Sequence, residues 1–486
     1  MSITAPAPAV TVPIERTALD ELLTLRGRGN IAAPEVMITG SDPVFSTPYR
    51  AGEVTAQVLA ACGVAANDLW QLRTGRRQRV TVDTRAAAAT LMGSELTRRR
   101  DRDGVYRPIP GSPSMTHMVA LTQPWSTADG RWFLPHTNLP HLERRVLDVL
   151  DCESTPDSVA AAIGRRRGQE LEDAIAAANA CGGLVRTAEE WLAHPQGEYL
   201  AARPVVEITK IADSAPEPLP DGDLPLSGIR VLDLTRILAG PTCGLTLAEF
   251  GADDLMVTAP HLPQVVEFVR DTSPGKRSTF LDITHPHEAA TLADLTSQAD
   301  VFLEGYRPGR LAARGFGTDD LTRLRPGIIH VTVNCFGSGG PFGERAGWDQ
   351  VAQAVTGMCI DQAEATGANG PKLTPVYMCD FVAGRLAAFG TMIALARRAV
   401  EGGSYRVQVS LAQAAMFFQR HGLTTPSTAN AVLTLDSLEE YVVRQDATVY
   451  GDLELLGPVL RLSETTPRWE ASTPALGSST PRWLAR

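Results

Sequence analysis

None of the seven cysteines forms a CxxC pair, and none has a histidine at metal-ligand spacing. The sequence therefore offers neither a disulfide framework nor a metal site, and it reads as carrying reduced thiols in a cytoplasmic protein. A basic excess is also missing. The formal charge of −10 argues against a general nucleic-acid binder, and it means that an anionic ligand needs a local basic site. The N-terminus, MSITAPAPAVTVPIERT, has no basic n-region and no apolar h-region, so no signal peptide is expected. No apolar run reads as long enough to cross a membrane. Neither GxGxxG nor a Walker loop occurs, which leaves a dehydrogenase or nucleotide-hydrolase reading without a motif.

What is present is a chain of 486 residues, 44% hydrophobic and 21% charged, the make-up of a globular protein of two or three domains. The clusters Arg98–Arg100 and Arg165–Arg167 lie in polar surroundings and read as solvated surface. One acidic residue, Asp380, stands at the head of an apolar segment, CDFVAGRLAAFGTMIALARRAVEGG. Apolar positions at helical spacing predict a helix over 381–399, ended by Gly402-Gly403, and RVQVS then alternates as a strand. Two roles fit an Asp at a helix start. It can cap free backbone N–H groups, or it can be a carboxylate kept ionised by them and used as a nucleophile.

The segment occurs twice. Glu53–Ala88 lies over Asp380–Ala415 without a gap, each pair separated by 327 residues. Gly63 and Gly75 fall on Gly390 and Gly402, the strand RVTV on RVQV, and Glu53 on Asp380. This reads as a duplication of helix, glycine turn, strand and helix. Between the copies lie a strand-like stretch (125–136), helices near 143–150, 156–164 and 169–180, and a Pro/Asp/Gly-rich linker, IADSAPEPLPDGDLPLSG. From Gly228 strands alternate with helices: strands over 228–234, 253–258, 278–283, 301–306 and 328–334, helices near 242–250, 286–298 and 318–324. The pattern predicts an α/β fold, a doubly wound parallel sheet with a ligand site beyond the carboxyl ends of its strands. The loop GSGGPFGERAG (337–347) has the glycines for close backbone approach to a ligand.

GIRVLDLTRILAGP, GADDLMV, GKRSTFLDI, ADVFLEGYRPG, the glycine loop with GWDQVAQAVTG, and CDFVAG with RVQVSLAQAA resemble, in this order, the class III CoA-transferase family. That family includes carnitine CoA-transferases, formyl-CoA transferases and 2-methylacyl-CoA racemases. The likeness is close over about 226–420, and 50–212 is similar to the rest of the same fold. The chain thus resembles a rearranged, partly duplicated member: an extension (1–49), a partial copy with the smaller α+β domain (50–212), a linker (213–227), the Rossmann-like domain (228–425) and a closing segment (426–486).

The resemblance implies coenzyme A as co-substrate, an acyl-CoA and a small carboxylic acid as partners, no metal, no nucleic acid, no membrane, and a homodimer. It makes Asp380 the catalytic nucleophile, passing through an aspartyl anhydride and an aspartyl-CoA thioester. It places Leu238, Gly240, Lys276, Leu281, Tyr306, Arg307, Arg314, Gly337 and Gly339 about the CoA. The basic residues frequent near CoA phosphates in the family have no counterpart at Ala259, Thr284, Ala313 or Asn334, where Lys276, Arg277, Arg307, Arg310 and Arg314 are the nearby substitutes. In the family's racemases a His precedes the Asp of the GxD motif; here it is Trp348, before Asp349. A racemase or epimerase, and a non-catalytic subunit of the same fold, are the alternative readings. Glu53 is expected to be a structural relic, leaving one site per chain.

Overall fold

The computed structural model describes residues 17–29, 35–426 and 433–485. Most of the N-terminal segment read for a signal peptide lies outside them. Near the N-terminus strand β1 (Val36–Thr39) leads through Gly40-Ser41-Asp42 to helix α1 (Ala51–Thr74) and strand β2 (Val80–Asp83). Helix α2 (Pro140–Leu150) belongs to the middle of the chain. There follow β3 (Glu207–Ala212), β4 (Arg230–Leu234), helix α3 (Ala239–Glu249), β5 (Asp253–Thr258), β6 (Arg277–Phe280), β7 (Val301–Glu304) and β8 (Ile329–Asn334). Helices α4 (Asp349–Thr356) and α5 (Met378–Glu401), then β9 (Ser404–Ser410) and β10 (Arg461–Leu462), complete the framework.

Seven strands form one sheet in the order β6-β5-β4-β7-β8-β9-β3, parallel except for β3, which runs antiparallel to β9. Alternate residues of each strand serve opposite faces. Val231, Val301, Leu303, Val331 and Val407 pack with α3 and α5, whereas Leu232, Phe302 and Leu255 pack with Leu292, Leu295 and Leu321 of the helices 286–296 and 318–324. Both faces are covered, which is why the strands read as continuous apolar runs and the sheet is doubly wound. A smaller α+β part carries an antiparallel four-stranded sheet, to which the C-terminal hairpin 442–456 adds two strands beside 98–100 and 106–108.

The duplication is visible in three dimensions. β1 and β2 pair in parallel and β10 joins β2 antiparallel, matching β8, β9 and β3. The boundary expected at residue 50 falls inside this half-copy, because β1 already belongs to it. A Cβ on Gly63 would meet Val80 at 2.6 Å, and one on Gly390 would meet Val407 at 2.7 Å, so the same glycine lets each helix lie against its strand. Asp83 and Ser410 each cap the helix that follows. The two long helices pack on each other; the Cys62 thiol reaches the Arg385 carbonyl at 3.3 Å. Helix α5 is long and apolar enough to cross a membrane, contrary to the reading from sequence, but its apolar window is fully buried. The length serves the core, which needs an apolar surface on every side of this helix.

Candidate active site

A cavity of about 870 Å³ opens at the carboxyl ends of β4, β5, β7 and β8. Leu234, Val257, Thr258 and Val333 come from those strand ends, while Leu139, His141, Leu142 and Arg145 close it from the start of α2. The first turn of α3 adds Leu238, Ala239 and Gly240. Asp380 lines it as well, from the first turn of α5, and is only 5% exposed.

Capping of α5 is not done by Asp380. The helix starts after Tyr377, which caps nothing with its side chain, and Asp380 is its third residue. The Asp349 carboxylate, from the first residue of α4, accepts the Asp380 N–H at 2.9 Å and the Cys379 N–H too. Gln353 donates to the other Asp349 oxygen. A carboxylate borne on a separate helix thus satisfies the free amides of α5, and Asp380 turns away from them. Burial pushes the Asp349 carboxyl up to about 6, against the pull of these hydrogen bonds. Asp380 is raised well above the ordinary carboxylate range, first by burial and then by the neighbouring Asp349 charge, with no hydrogen bond to offset either.

Of the residues expected about the CoA, Leu238, Gly240, Leu281, Tyr306, Arg307 and Arg314 line the cavity. Lys276 does not. Its ammonium is fully buried, 3.0 Å from Asp233 and donating to the Pro241 carbonyl at 2.8 Å, so it holds the start of α3 to the sheet. Arg277 pairs with Asp253 instead. Gly337 and Gly339 lie off the cavity, against Leu200 and the Tyr199 hydroxyl. The glycine loop is tied down by Gln196, which donates to the Phe336 and Gly339 carbonyls and accepts from Phe342. Gly337, Gly339 and Gly340 serve a close fit to Leu200, Tyr199 and Gln196, while Gly347 at the loop's end lines the cavity.

Reading along the chain missed Arg145, Arg236 and His141. Arg236 stands inside the quoted stretch LTRILAGP, while Arg145 sits on a helix with no motif. Among the described residues Arg145, Arg236, Arg307, Arg310 and Arg314 line the cavity with no carboxylate within 4.0 Å. Burial first, then the charges of Arg145, Arg236, Arg307 and Arg144, lower the pKa of His141. Arg307 donates to the Asn179 side chain at 3.1 Å and to its carbonyl at 3.0 Å, and Arg145 donates to that carbonyl as well. Trp348 lines the cavity and stacks on His136, which burial pushes down to about 3, a neutral imidazole at ordinary pH.

The half-copy shows the same helix start in another state. Asp42, in Gly40-Ser41-Asp42, accepts the Glu53 N–H at 2.7 Å and the Gly52 N–H at 3.2 Å, as Asp349 of Gly347-Trp348-Asp349 does for α5. Glu53 reaches back: it accepts the Asp42 N–H at 3.2 Å and pairs with Arg50 at 2.9 Å.

Residues 34–217 and 226–439 match the model of CoA-transferase family III, in two segments. An acyl-CoA transferase of Gibberella moniliformis is 28% identical, with 88% of this chain aligned to 87% of that one. An acetyl-coenzyme A transferase of Hypoxylon pulicicidum is 29% identical over 69% of this chain and 63% of its own. The crystal structure of Rv3272 from Mycobacterium tuberculosis is 31% identical over 41% of this chain and 58% of that one, with a TM-score of 0.37. The chain therefore spans most of the first relative and little over half of the other two.

Proposed function

The chain belongs to CoA-transferase family III, and from that premise we propose that it moves CoA from an acyl-CoA thioester to a carboxylic acid, with Asp380 as nucleophile. One observation carries the reading: a carboxylate without a hydrogen-bond partner faces a cavity lined by five arginines that have no carboxylate within 4.0 Å among the described residues. Those arginines suit the phosphates of CoA, and Arg145 and Arg236 make up for the basic residues absent at Ala259, Thr284, Ala313 and Asn334.

An Asp380 oxygen attacks the thioester carbonyl, the C–S bond breaks, and CoA leaves as thiolate from a mixed anhydride. The thiolate then attacks the aspartyl carbonyl, which frees the first acid and leaves an aspartyl-CoA thioester. The acceptor carboxylate attacks that carbonyl and expels the thiolate again. Thiolate attack on the new anhydride gives the product thioester and restores Asp380. No proton or water is consumed, and a carboxylate suits each step because its anhydride and thioester both remain reactive. The free amides at the start of α3, about Gly240, are the proposed donors to the oxyanion. Apolar Leu139, Leu142 and Trp348 exclude the water that would hydrolyse the anhydride.

A racemase reading lacks support, since Trp348 takes the place of the second base and His136 lies buried behind it. By resemblance the proposed assembly is a homodimer. Transfer of CoA from acyl-CoA to a free acid is expected to vanish in Asp380→Ala and Asp380→Asn with the fold kept. Near-wild-type turnover in either folded variant overturns the assignment.

A further inference from the structure

The two copies of the helix start differ in one respect that decides what their acids can do. Each has a G-x-D aspartate that takes the leading amides of the helix, and each has an acid at the third helical position. In the half-copy that acid is Glu53. It is long enough to return to the Asp42 N–H and so closes the reciprocal bonding that favours Glu at this position. Its carboxylate is used up, by Asp42 on one oxygen and Arg50 on the other. In the complete copy the acid is one methylene shorter, the return bond is absent, and the carboxylate is left to the cavity.

We propose that Asp349 is the positioning residue of the site: by capping α5 from a separate helix, it frees the Asp380 carboxyl from capping, leaves it to the cavity and stands beside it as an acidic neighbour. The inference rests on Asp380 being the nucleophile. The groups facing Asp380 are few. Asp349 comes from α4, Cys335 from the end of β8, and Cys379 and Tyr377 from α5 and its entry. Burial raises both thiols and the phenol, so all three are neutral and Asp349 is the one charge among them. Two buried carboxyls side by side do not both ionise easily. Asp349 has the amides of Cys379 and Asp380 and the Gln353 side chain to hold its charge; Asp380 has none. The proton therefore resides on Asp380 until the pH rises.

Asp349→Asn separates the two contributions, because its amide oxygen still accepts from α5 while the charge is gone. The readout is the pH dependence of carbodiimide labelling at Asp380, followed by peptide mass, since the reagent takes the protonated carboxyl and needs no turnover. In Asp349→Asn the midpoint is expected to fall by about one pH unit or more, and the acid limb of turnover to move down with it. A midpoint that stays where it is in wild type overturns the proposal. A second variant tests the length argument: Asp380→Glu is expected to fold with unchanged stability or better, to label weakly, and to lose transfer at least a hundredfold. Asp380→Glu with a tenth or more of wild-type turnover overturns it as well. Loss of turnover in Asp380→Asn tests the nucleophile separately, so failure of that reading and failure of this one look different.

Discussion

Burial and a negative neighbour raise the Asp380 carboxyl, and nothing within the apo site repays the cost. The sign follows from linkage. At a pH below the unfolded carboxyl's value both states are protonated and no cost arises. As the pH climbs past that value the unfolded chain releases its proton while the folded one keeps it, so stability falls until the raised folded value is passed. Asp380→Asn cannot ionise in either state. Its melting temperature at neutral pH is expected at or above that of wild type, while transfer is lost. A drop of many degrees in thermal unfolding would contradict the account. Lys276 is the opposite case. Its charge holds Asp233 inside the sheet, and Lys276→Ala leaves that carboxylate buried without its counter-charge, with only the Thr235 N–H and hydroxyl still donating to it. A loss of about 3–5 kcal/mol in denaturant unfolding is expected, whereas a phosphate ligand on the surface would leave stability unchanged.

Helix α5 meets α3 through Gly384, where a Cβ would stand 2.3 Å from the Ala239 carbonyl. That carbonyl is backbone and belongs to the turn that presents Gly240 to the cavity. Gly384→Ala must therefore push α3 away from α5. The expected result is a stability loss of about 1–3 kcal/mol together with a fall in kcat, read by denaturant unfolding and steady-state kinetics. Unchanged kcat would show that the α3 turn has no part in the chemistry. At this scale the sequence was informative wherever the two copies keep one spacing. Gly63 and Gly390, Gly75 and Gly402, Asp83 and Ser410 recur 327 residues apart and do the same work in both. The capping pair escaped notice because Asp42 and Asp349 are 307 residues apart, with α4 and its successor inserted between cap and helix in the complete copy. A cap supplied from another helix leaves no local signature, so capping stood as one of two roles open to Asp380.

Across the whole molecule the charge is −10, yet the cavity rim is cationic. The strands and the sheet could be read from the alternation, and the motifs singled out Asp380, which lines the cavity. The rim could not, because Arg145 comes from α2 and meets Arg307 only through Asn179, far away in sequence. Lys276, Gly337 and Gly339 misled for the converse reason. They adjoin the motifs along the chain, but packing turns them away from the cavity. A concentrated positive site in an anionic protein makes binding of a polyanion salt-dependent. Arg314→Ala is expected to weaken CoA binding about tenfold, in line with one lost charge-assisted contact, and to flatten the salt dependence measured by calorimetry. Equal Kd in variant and wild type would place the phosphates elsewhere.

In the proposed reaction one carboxylate per chain becomes covalently attached to CoA. Intact-mass measurement after incubation with an acyl-CoA, followed by peptide mapping, tests it most directly. A single CoA adduct per chain is expected, located at Asp380, absent from Asp380→Asn and unaffected in Glu53→Gln. No adduct, an adduct at another residue, or two per chain with one lost in Glu53→Gln would contradict it.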